Sequence, residues 1–127
     1  MARFNIVYKV EDIVNYVLTI TEKSPKKLRC DIIPALRTKA ELSLEFIHRA
    51  NLEPLNSPLR LQYQREADVN LAILDSIAAI CVKHGYITNH QLEILTQMTS
   101  ELSAMLSKWK ESDSKRYALY VEKGLIH

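Results

Sequence analysis

Apolar residues return every three or four positions along most of this chain, and their phase marks four helical faces. Over residues 10–22 the face is Val10, Ile13, Val14, Val17, Leu18 and Thr21. Ser24-Pro25 interrupts it, because the residue before a proline is pushed out of the α region. Over residues 26–51 the period continues through Leu28, Ile32, Ala35, Leu36, Ala40, Leu44, Ile47 and Ala50. Pro34 falls inside this run. It lacks an N–H and crowds the carbonyl four residues back, so the second helix is expected to bend there or to restart near Asp31. The stripe keeps its phase across the proline, which favours a bend over a break. A polar loop, ANLEPLNSP, closes the segment.

Over residues 59–84 one stripe is Ala67, Leu71, Leu74, Ala78 and Cys81, widened by Ile73, Ile77 and Ile80. A stripe that broad predicts a helix covered on more than one side. Gly85 follows the last periodic position, where a left-handed glycine ends a helix. Over residues 89–110 the face is Leu92, Leu95, Thr99, Leu102, Leu106 and Trp109. Thr88 and Gln91 have capping-box spacing, and Ile87 is placed to staple onto Leu92 or a near neighbour. With so few residues between stop and start, the last two helices must form an antiparallel hairpin. The predicted fold is all-α: an antiparallel up-down-up-down four-helix bundle, kinked near Pro34, forming one domain over residues 1–127. Its longest helices would span about 39 Å. In the tail, residues 111–127, SDSK reads as a break, residues 116–123 have weak helical character, and Gly124 would stop them.

Composition supports this picture. The chain has 127 residues, 47% apolar, with only 2 Gly and 4 Pro. That is enough for a core without staples, and too few breaks for a turn-rich β fold. The opening MARFNIVYKVEDIV meets a charge by Lys9 and does not read as a signal peptide. No run of 18 apolar residues marks a membrane span. The cytoplasm is the expected compartment, and Cys30 and Cys81 read as buried reduced thiols.

Catalytic chemistry finds no footing. Glu45 and His48 have the Glu-x-x-His spacing of carboxylate-bridged di-metal bundles. Such a site needs the motif twice, and it occurs once, so a solvated helix face is the simpler account. No Arg has a His five to seven residues downstream, as the RNA-cleaving HEPN bundles require, and no Glu-x-x-Glu pair occurs, as MazG-type pyrophosphatases require. There is no phosphate loop and no nucleophile constellation. No cofactor or metal is expected, and no enzyme.

Charge is modest overall: 17 Lys+Arg against 15 Asp+Glu, or +2. It is also clustered. In an up-down bundle, Lys23, Lys26, Lys27, Arg29, Lys83, His84 and His90 share one end, diluted by Glu22 and Asp31. Arg49, Arg60, Lys108, Lys110, Lys115 and Arg116 share the other, diluted by Glu53, Glu111 and Asp113. Phosphate contact needs such clusters. Position alone makes Lys23, Lys26, Lys27, Arg29, Arg37, Lys108 and Lys110 the candidate nucleic-acid contacts. Tyr63 and Arg65, early in the third helix, and Arg60 just before them are candidate partner contacts.

The stretch YQREADVNLAILDSIAAICVKHGYITNHQLEILTQMTSELSAMLSKWKES resembles the second half of a family of small four-helix bundles. That family includes Avd, the accessory variability determinant of diversity-generating retroelements. It also includes bundles encoded within intervening sequences of bacterial large-subunit ribosomal RNA genes. The likeness rests on Tyr63–Glu66, Gly85-Tyr86-Ile87-Thr88, Gln91 and Leu102–Trp109. Ser107-Lys108-Trp109 stands where the family has a Gly-x-Trp or similar segment. VEDIVNYVLTITEKSPK and LRCDIIPALRTKAELSLEFIHRAN are similar to the first two Avd helices, so the resemblance spans about Val10 to Glu111. It implies a non-catalytic homopentamer that binds a reverse transcriptase and its template RNA and supports mutagenic cDNA synthesis. A pentamer would gather each basic cluster into a ring, raising the local field of a weakly basic chain. The intervening-sequence branch implies instead a protein-interaction bundle with no reverse transcriptase partner.

Overall fold

A row of residues buried on one face of each segment organises the chain into helices. The structure, a computed structural model, describes residues 2–22 and 32–124, with side chains from residue 5 onward. Four helices follow in order: α1 Ala2–Thr21, α2 Ile32–Leu52, α3 Pro58–Lys83 and α4 Asn89–Glu122. No strand occurs among the described residues. The principal packing partners are α1 with α2, α2 with α3, α3 with α4, and α4 with α1, the closed circuit of a four-helix bundle.

The core is the predicted stripes in large part. Val10, Ile13 and Val17 of α1 meet Leu36, Ala40, Ile47 and Ala50 of α2, Ala67, Leu71, Leu74, Ala78 and Cys81 of α3, and Leu95, Leu102 and Leu106 of α4, all essentially inaccessible to solvent. Ile6 and Ile33 belong to the same core. Polar cross-links pin α3 to α4 along its length. The Thr99 hydroxyl donates to Asp75 Oδ1 at 2.8 Å, and the Ser103 hydroxyl to Asp68 Oδ1 at 2.7 Å. Lys110 donates to Asp68 Oδ2 at 3.2 Å. Lys9 bridges from α1 to Glu101 of α4 and, by its hydrogen bond and charge, holds that carboxyl below its ordinary range.

The turn between α3 and α4 follows the expected chemistry. Gly85 has φ +74°. Tyr86 N–H donates to Cys81 O at 2.8 Å and Gly85 N–H to Val82 O at 3.0 Å, the two bonds of a Schellman stop. Thr88 caps α4: its hydroxyl accepts from Gln91 N–H at 3.0 Å, and the Gln91 side-chain oxygen accepts from Thr88 N–H at 2.9 Å. Ser57 caps α3 ahead of Pro58, which fits the first helical turn because its missing N–H has no partner to lose there.

Several boundaries differ from the sequence expectation. α1 starts at Ala2 rather than near Val10, and buries Ile6. α4 runs through SDSK without a break to Glu122, where Lys123 and Gly124, with φ +71°, end it. Pro34 is the third residue of α2 as described; the segment ahead of Ile32, with Ser24-Pro25 and Cys30, lies outside the described residues. On α3 the second stripe is not covered: Ile73 and Ile80 are exposed and Ile77 only partly buried.

Candidate nucleic-acid and partner interface

Asp113 explains why α4 continues. It sits in the expected break, is 3% exposed, and is held by two side chains of α3. Arg60 Nε donates to Asp113 Oδ2 at 2.7 Å, and Gln64 Nε2 donates to the same oxygen at 2.6 Å. The same guanidinium donates from Nη1 to Glu53 O at 3.0 Å and Ala50 O at 3.4 Å, capping the end of α2 with a cation. Its carbon lies 5.3 Å from the centroid of the Trp109 ring, a cation–π contact. One arginine therefore ties together α2, α3 and α4. Arg60, expected as a partner contact, is 8% exposed, with Nε and Nη1 bonded within the chain.

Beside this clamp lies an open cleft of about 570 Å³. Its apolar walls are Ile6 of α1, Leu55 of the α2–α3 connection, and Met105 and Trp109 of α4. Lys108, Ser112 and Arg116 of α4, Asn5 of α1 and the Arg60–Asp113 pair complete its lining. Lys108, Ser112 and Arg116 recur every fourth residue and so share one face of α4. Leu119, Tyr120 and Lys123 continue that face and, with Arg116, border a second, smaller hollow. The stripe from Lys108 to Lys123 is about 22 Å long at helical rise. Lys108, Arg116 and Lys123 are exposed and form no ion pair with a described residue, whereas Lys115 pairs with Glu111 at 3.2 Å.

The other expected contacts are scattered. Lys23, Lys26, Lys27 and Arg29 lie outside the described residues. Arg37 is half-buried, and its Nε donates to the Thr21 hydroxyl at 2.9 Å, joining α2 to the end of α1. Lys110 is half-buried on Asp68, while Lys108 is open on the cleft. Tyr63 packs beside Phe46 with ring centroids 5.9 Å apart, its ring half-buried; Arg65 is exposed. The sequence places Arg116 in one end cluster with Lys108 but gives it no contact role, and Lys123 falls outside that cluster. The Lys-x3-Ser-x3-Arg spacing was a usable signal once α4 was known to continue.

A second open feature lies on α3. Val69 is 52% exposed, Ile80 43% and Ile73 36%, at spacings that place them on one face. Among the described residues no group of three or more His, Cys, Asp or Glu gathers as a metal site, and Glu45 pairs with Arg49 at 3.1 Å. No described helix is long and apolar enough to cross a membrane. No protein-family model matches the chain, and no curated protein matches it.

Proposed function

We propose that the chain is a non-catalytic accessory protein of a diversity-generating retroelement, binding the element's reverse transcriptase and its template RNA in the cytoplasm during mutagenic cDNA synthesis. The observation that carries the RNA part is the α4 stripe. Lys108, Arg116 and Lys123 stand on one helical face without acidic partners among the described residues, with Tyr120 between the last two. Cations spaced along a helix suit a phosphate backbone, and unpaired ones have no internal bridge to give up on binding. The resemblance of residues 10–111 to Avd supplies the reverse transcriptase as the protein partner, and Arg65 and Tyr63 remain the α3 positions proposed to meet it.

The bundle proposed is antiparallel, up-down-up-down. The reversed order of partners supports it: Asp75 with Thr99, Asp68 with Ser103, Arg60 with Asp113. A bend at Pro34 belongs to the same proposal, and it rests on the proline ring crowding the carbonyl four residues back. Self-association is proposed through the open α3 stripe of Val69, Ile73 and Ile80, a pentamer being the assembly that the resemblance implies. Apolar side chains left open on one helical face suit such a contact.

The test is RNA affinity measured across salt concentrations, for wild type and for a K108A/R116A/K123A variant. Each lost phosphate contact should lower the log–log salt slope by roughly 0.7–0.9. A triple variant with wild-type affinity and slope would remove the RNA assignment. The same chain would then fit the intervening-sequence branch, in which the α3 stripe binds protein alone.

A further inference from the structure

The cleft beside Arg60 has a chemistry that a phosphate-tracking stripe does not need. Its volume, about 570 Å³, falls within the roughly 300–1,000 Å³ of small-molecule sites. Its walls are mostly apolar, with Ile6, Leu55, Met105 and Trp109 contributed by three parts of the fold. Its polar lining is Asn5 of α1, the buried Arg60–Asp113 pair, and Lys108, Ser112 and Arg116 of α4. The deepest charge, Asp113, is already neutralised by Arg60 at 2.7 Å. Among the described residues, what is left uncompensated is the pair Lys108 and Arg116, flanking the Ser112 hydroxyl. The site therefore offers apolar side chains beside a neutralised buried ion pair, with two exposed cations on α4.

Nucleic acid is a poor match for those apolar side chains. Trp109 is 8% exposed and Arg60 lies against its ring, so it presents no open face for a base to stack on. Ile6, Leu55 and Met105 offer no hydrogen bonds to the polar edges of a base, which would be desolvated without compensation. A molecule with an apolar body and one anionic head suits both the apolar side chains and the cations. The body displaces water from the former, and the head takes charge-assisted bonds from Lys108, Arg116 and Ser112.

We propose that this cleft binds a small amphipathic carboxylate, such as a medium-chain fatty acid, with its chain on Ile6, Leu55, Met105 and Trp109 and its carboxylate between Lys108 and Arg116. The site shares two cations with the proposed RNA stripe but not Lys123, so the two readings can fail separately.

Trp109 is the only tryptophan of the chain, so its emission reports on the cleft wall. Decanoate, decanol and acetate, titrated separately, divide the contributions of body and head. Decanoate should change Trp109 emission saturably. Decanol should bind on the order of tenfold more weakly for want of the charged head, and acetate should not register. K108A/R116A should bring decanoate down to the decanol level, whereas K123A should leave decanoate binding intact while weakening RNA. Circular dichroism of the variants checks that the helices persist. No saturable response to decanoate, equal affinity for decanol, or a K108A/R116A variant that binds decanoate like wild type would each overturn the proposal.

Discussion

Arg60 and Asp113, 53 residues apart, meet at 2.7 Å with side chains 10% and 3% exposed. The pair closes the end of the bundle where α2 stops, α3 begins and α4 runs on. Its geometry makes each charge depend on the other, because an unpaired ion at such a depth is strongly destabilising. R60A and D113A should each cost about 3–5 kcal/mol in urea denaturation. The R60M/D113L double variant should cost clearly less than their sum, since no lone charge then remains. Additive losses would show that the two side chains act independently.

The α3–α4 turn carries two local determinants. T88A removes the hydroxyl that accepts from Gln91 N–H and should cost about 1 kcal/mol. G85A puts a side chain at φ +74°, where nothing crowds a Cβ but the backbone disfavours one, and should cost about 1–2 kcal/mol. Both are read from thermal or urea midpoints. A G85A variant as stable as wild type would contradict the conformational account of the stop.

Asp75 links pH to stability. Burial pushes its carboxyl above the ordinary 3.8, and the Thr99 hydrogen bond offsets only part of that. The folded state therefore holds this proton more tightly than the unfolded chain does. Its contribution is fully present below pH 3.8 and is lost as pH rises through the raised folded value. D75N cannot ionise and can still accept from Thr99. The stability of D75N relative to wild type should therefore increase as pH rises above 3.8 and then level off. A difference that is flat or falls with pH contradicts this assignment.

Cys81 is fully buried in the core, and burial pushes its thiol above the ordinary range. Reaction requires the thiolate and access to it. In a C30S background, a thiol reagent should label native protein far more slowly than protein unfolded in urea. Rapid native labelling would mean that the core opens at α3.

The open α3 face predicts its own phenotype. I73E places a charge at a site already 36% exposed, so the monomer fold should tolerate it to within about 0.5 kcal/mol. Mass by light scattering should fall relative to wild type. An unchanged mass would remove Ile73 from any self-association surface.

Periodicity made the core legible because the inward positions of each helix are apolar at regular spacing: Leu95, Leu102, Leu106 and Trp109 were all identifiable from sequence and all are buried. The caps were legible because Thr88, Gln91 and Gly85 act through their immediate neighbours. Two things were not. The start of α1 is hard to see because Lys9 breaks the apolar run in the sequence, whereas in the fold it reaches across to Glu101. The continuation of α4 was missed because Ser112, Asp113 and Ser114 have weak helical propensity, and what outweighs it is tertiary: Arg60 and Gln64, far away in sequence, hold Asp113. The cleft and the full basic stripe depend on that continuation and were hidden with it. The breadth of the α3 stripe predicts cover on more than one side, yet Ile73 and Ile80 are exposed, since a sequence does not distinguish a face covered within the chain from one left open.

The adaptor reading is tested most directly by co-expressing the chain with a diversity-generating retroelement reverse transcriptase and its template RNA, then purifying through the polymerase. Light scattering gives the mass of what is recovered, and absorbance its nucleic-acid content. The account predicts a stable particle with one polymerase, several copies of this chain, and RNA. Recovery of the polymerase alone, with this chain as a separate RNA-free species, would contradict it.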